Sequence, residues 1–164
     1  MIHIYHNLRK IADAIADSDA IQSFCVEHFG RGCLVQVDDI ADNPISSDDA
    51  PWIIVAKGPS GEMGPVQADT IFTAHIVCGV SVAPLIFEEI RPRTPAGNGL
   101  RYLPGGDLAE MLLRHAILAI RGINFGDGIL AKTIGLDVDV YTLSPLQFAT
   151  CNVEISEAQS MNTW

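Results

Sequence analysis

The chain has 164 residues, with ten Lys and Arg against twenty Asp and Glu, a formal net charge of −10; this balance excludes broad phosphate binding, whose affinity comes from many cations. Its 17.7 kDa is one ordinary domain, able to bury about two thirds of its unfolded surface around a single core. A hydrophobic content of 48% with a mean hydropathy of +0.25 is high for an acidic domain and predicts some apolar surface covered by another subunit.

The apolar residues Leu8, Ile11, Ala12 and Ile15 fall at i, i+3, i+4 and i+7, which predicts an amphipathic helix over 7–16. Ser18 or Asp19 caps a second, shorter helix carrying Ile21, Phe24, Cys25, His28 and Phe29, and Gly30 supplies its left-handed exit. Cys33 to Asp38 alternates and reads as a strand. The loop 39–50 is rich in Asp, Asn, Ser and Pro, residues that bond their own backbone or fix φ.

Trp52 to Ala56 is a continuous apolar strand that tolerates Pro51 at its entrance. Its unbroken apolarity predicts a central place in the sheet, with helices over one face and the arm or an adjoining subunit over the other. A Gly- and Pro-punctuated tip at 58–65 joins it to a partner strand over 70–80. Leu85 to Ile90 and Gly99 to Leu103 flank a stretch that reads as a projecting loop or β-arm. Asp107-Leu-Ala-Glu110 has the form of a capping box opening a helix that runs to Arg121. Alternation over Leu136 to Thr142 and Gln147 to Ile155, with a turn at Ser144-Pro145, predicts a closing antiparallel hairpin.

The whole is one α+β domain over 1–164: a mostly antiparallel sheet with two main helices packed on one face, an arm or loop at 85–106 and a polar tail at 157–164. No run reaches the ~18–20 apolar residues that span a bilayer, and the N-terminus has no basic region followed by an apolar one. A chain made and kept in a cytoplasm is the expectation. The four scattered cysteines, Cys25, Cys33, Cys78 and Cys151, then read as buried free thiols.

Several residue groups could carry chemistry, and each has a plainer reading. Cys25, His28 and Cys33 have ligand types that suit zinc but lack a fourth donor; on a core-facing helix Cys25 and His28 read more plainly as a buried thiol and an edge imidazole. Asp38, Asp39 and Asp42 lack the glycine and spacing of a calcium loop and read as a solvated turn. Gly58-Pro59-Ser60-Gly61-Glu62 misses the nucleophile elbow, and Gly97-Asn98-Gly99 misses the dinucleotide fingerprint. His75 and His115 are the possible general bases, with satisfied core histidines as the alternative. Asp137 and Asp139 share one face of a strand, as the wet side of an edge hairpin does. Arg91, Arg93 and Arg101 gather near one loop in a chain poor in bases; they suit bidentate capture of a neighbour's carboxylates or merely offset Glu88 and Glu89.

The order of elements resembles the tail terminator, or tail-completion, proteins of long-tailed bacteriophages. It does so through the amphipathic N-terminal helix, the polar loop leading through Pro51-Trp52 into Ile53-Ile54-Val55, the long strand Ile71 to Val80, the helix Leu108 to Arg121 and the final strand pair ending at Val153-Glu154-Ile155. The resemblance implies a structural virion protein with no active site and no cofactor. It implies assembly in the host bacterial cytoplasm as a ring, usually a hexamer, that caps the tail tube and meets the head connector while DNA passes through without specific binding. Trp52, Arg91, Arg93 and Arg101 are then the interface candidates. The insertion Leu85 to Gly106 departs from the family pattern, where a short link is expected. Two other classes stay open at this point: a small acidic cytoplasmic enzyme using His75 or His115, and a binding module stabilised by metal at Cys25, His28 and Cys33.

Overall fold

The computed structural model describes residues 4–38, 45–58, 72–82, 88–102, 104–139 and 145–157. The tip at 59–65, Asp39 and Asp42, the arm's roots at 85–87 and Leu103, residues 140–142 of the predicted hairpin and the tail beyond 157 lie outside the described residues.

Among the described residues, three helices and a five-stranded mixed sheet make an α+β fold. The elements are α1 (Ile4–Ala16), α2 (Asp19–Phe29), β1 (Leu34–Val37), a 3-10 turn (Ser47–Asp49), β2 (Trp52–Lys57), β3 (Phe72–Ser81), β4 (Glu88–Arg91), β5 (Leu100–Tyr102), α3 (Pro104–Arg121), β6 (Ile129–Asp139) and β7 (Leu146–Glu157). The sheet order is β1-β2-β3-β7-β6, and β4 and β5 form a separate two-stranded sheet. The β1–β2 pair is parallel and the other three pairs are antiparallel. β2 therefore sits one place in from the β1 edge, and the central position expected for it belongs to β3.

The alternation of β3 explains the layering. Phe72, Ala74, Ile76, Cys78 and Val80 are buried on one face, joined there by Ile53 and Val55 of β2 and by Ala149, Cys151, Val153 and Ile155 of β7. All three helices close on that face: α1 lies over β1 and β2, α3 over β3 and β7, and α2 packs on the two other helices. The α1 stripe Leu8, Ile11, Ala12 and Ile15 is buried as its spacing predicts. Ser18 caps α2, its hydroxyl accepting from the Ile21 N–H at 3.4 Å, and Gly30 closes the helix at φ +71°. The short α2 is thus held at both ends by local chemistry.

Two boundaries differ most from the sequence expectation. α3 begins at Pro104, so Asp107 stands inside the first turn rather than at the cap. Proline at the first helical position gives up an N–H that has no helical partner anyway, which makes it a better start signal here than the acidic box. The capping box that does form is Ser46 with Asp49, where the Asp49 carboxylate accepts from the Ser46 N–H at 2.9 Å around the 3-10 turn. β6 begins at Ile129, seven residues before the expected Leu136, and passes a bulge between Ile134 and Asp137 where Gly135 adopts φ +62°. As an edge strand it is half wet on both faces, so its early residues show no apolar alternation.

Candidate functional site

The predicted arm is a distinct element. β4 and β5 pair antiparallel with a register shift between Glu89 and Arg91, and Thr94 and Gly97 exchange two backbone hydrogen bonds at 3.1 and 3.3 Å to close the tip. Every residue from Arg91 to Arg101 is exposed. Gly99 passes so near Arg93 that an added Cβ would lie 2.9 Å from its backbone nitrogen, so the chain needs glycine there to bring the strands together. The fold gathers Arg91, Arg93 and Arg101 around a concavity of about 480 Å³ that also takes in Glu89 and Gly99. Residues 88–102 hold three arginines and two glutamates, net +1 in a chain of net −10, leaving −11 on the rest. Planar, permanently charged guanidiniums around one open cup are a receptor for carboxylates.

Trp52 is not a surface residue. It is 3% exposed, and its indole lies across Gly79 beside the Phe148 ring, with centroids 5.7 Å apart. The cover that sequence reasoning assigned to the arm or an adjoining subunit comes, for Trp52, from its own sheet: β3 offers a glycine opposite Trp52 in the register, and the ring folds flat into the space. Its Nε1–H finds no acceptor among the described residues.

The histidines and cysteines do not converge on a cleft. His75 Nδ1 lies 2.8 Å from Asn152 Oδ1 across the β3–β7 pair, on the sheet face opposite the helices. His115 is on α3 in contact with Phe24, ring centroids 5.2 Å apart, on the other side of the sheet. His28 is exposed and stacks on Phe24 at 4.5 Å, so it is not on the core face expected for it. Cys25 and Cys33 do come together: Cys33 lowers the Cys25 pKa, Cys25 and burial raise that of Cys33, and the Cys33 thiol donates to the Leu34 carbonyl at 3.7 Å. All four cysteines are free thiols, with Cys25, Cys78 and Cys151 buried and Cys33 half-buried. Among the described residues no three His, Cys, Asp or Glu side chains are grouped closely enough to hold a metal ion. Likewise, no described helix is long and apolar enough to cross a membrane.

One further surface escaped sequence reasoning. β6 is the outer strand of the sheet, and its Leu130, Ile134 and Leu136 are 61%, 36% and 46% exposed. On its helix side a groove of about 230 Å³ runs between the strand and the end of α3, lined by Ile120, Arg121, Ala131, Lys132, Thr133 and Val153. The signal was present in the apolar residues Ile129, Leu130 and Ile134, which precede the strand expected from Leu136. A scan of protein-family models finds no match to the chain, and a search of curated proteins finds no significant one.

Proposed function

We propose that the chain is a structural, non-enzymatic ring protein of a phage tail or tail-like particle: a tail terminator of the virion that closes on the tail tube, meets the head connector and lets DNA pass unbound. The observation that carries this reading is the arm. A two-stranded sheet standing apart from the main one, exposed along its length and lined with three arginines, adds nothing to the described core. On an acidic body it is suited to grip a second acidic body of the same kind. Such a contact joins two different patches, and head-to-tail contacts of that type generate closed rings. The remaining negative charge suits a channel wall that repels phosphates in transit.

Native mass spectrometry and negative-stain electron microscopy of the purified protein test the proposal. A ring, with six copies as the expected number, is the supporting result. A chain that stays monomeric up to millimolar concentration overturns it.

A further inference from the structure

The main sheet ends in two edges of complementary build. Strand directions follow from the pairings: β1, β2 and β7 run one way, β3 and β6 the other. If copies are arranged around an axis that preserves strand direction, β6 of one copy meets β1 of the next, and the two are antiparallel. That is the pairing in which inter-strand bonds run straight across the gap.

The bonding groups are aimed for it. Leu34 N–H donates to Pro51 and Asp38 N–H to Val55. In a parallel ladder alternate residues bond to the same side, so the N–H and C=O groups of Val35 and Val37 point away from β2. No described strand pairs with that side of β1, nor with the outer side of β6.

The layers match as well. On the helix side, the helix layer stops before the sheet does: Ala131 of β6 is exposed beside the 230 Å³ groove. At the opposite end α1 lies directly over β1 and β2. Continuing the sheet into a second copy carries that copy's α1 into the gap. On the other face, Leu34 is 43% exposed, and by the register it shares that face with Leu130 and Ile134. A two-fold β6–β6 pairing would instead set groove against groove and leave both open.

We infer that β6 is the acceptor edge for β1 of a second copy of this chain, so that the five-stranded sheet continues from subunit to subunit with the neighbour's α1 seated in the α3–β6 groove. The inference rests on the ring reading and names its seam.

The test places a photo-crosslinking benzoylphenylalanine at Ile134 of the full chain and maps the covalent dimer by mass spectrometry. Attachment to residues 33–38 of the second copy is the expected result. In parallel, Leu34→Asp and Ile134→Asp should each raise the concentration needed for assembly by about tenfold or more. Their circular dichroism and thermal midpoint should match the parent, because neither side chain is in the core. Crosslinks between two β6 strands, or intact rings whose crosslinks fall elsewhere, overturn the seam while leaving the ring reading standing. A monomeric parent protein overturns both.

Discussion

Trp52 and Gly79 illustrate how a single position can depend on another far along the chain. A Cβ at residue 79 would lie 2.4 Å from the indole ring, closer than any carbon contact allows, so the ring must move or the strands must part. Gly79→Ala is expected to cost about 1–3 kcal/mol, the usual penalty of overpacking, read as a fall in the urea midpoint. Gln147 presents the opposite case: it is fully buried on β7 and both atoms of its amide lack partners among the described residues. Burying an unpaired amide is costly, whereas an apolar side chain of the same shape incurs no such penalty. Gln147→Met is therefore expected to raise stability by about 1 kcal/mol; a loss of that size in urea titration would mean that the amide is bonded after all. At this scale the sequence told part of the story. Trp52 could be read as a strand residue beside Pro51, but its burial depends on a glycine that only the register brings opposite.

Among the elements, the arm makes the cleanest prediction. Its arginines are exposed and the arm lies apart from the core, so the triple variant Arg91→Ala, Arg93→Ala, Arg101→Ala should unfold within about 0.5 kcal/mol of the parent. Assembly should be lost or sharply weakened, and whatever remains should respond less to added salt, since the screened charges are gone. Sedimentation at two ionic strengths checks both halves. The arm was legible because two short strand-like segments flank a Pro- and Gly-bearing tip, a purely local pattern. α1 and β3 were legible for the same reason: one buried face imposes a period that the sequence must obey. The onset of β6 at Ile129 was not legible, because an edge strand wetted on both faces has no period to impose. The start of α3 was misread because Asp107 and Glu110 mimic a cap three residues inside the helix that Pro104 opens. The groove beside β6 could not be foreseen at all, since it is defined by where the helix layer stops.

For the molecule as a whole, the thiols set a limit on the alkaline side. Burial pushes Cys151 from its ordinary value of 9.0 up to about 11, and pushes Cys78 well above 9.0, with neighbouring Cys151 and Cys25 adding to the effect. Between those values the unfolded chain releases thiol protons that the folded chain retains. The unfolded state then binds fewer protons, and stability falls as pH rises. Below about pH 8 both states are protonated and these groups contribute no slope. Urea midpoints taken from about pH 8 to 11 should decline through the upper part of that range, and Cys151→Ala should decline less steeply. A parent curve that stays flat would show the thiols to be more accessible than their packing implies.

The placing of β7 has a consequence for how the chain is made. It is the last of the described strands in sequence, yet it lies between β3 and β6, with ten residues paired to β3. Until it has left the ribosome, the β3 edge away from β2 has no strand partner, and α3 has only part of its seat. Synthesis therefore delivers the keystone after the stones it locks, and a nascent or truncated product lacking 146–157 would expose an apolar strand edge of the kind that seeds aggregation.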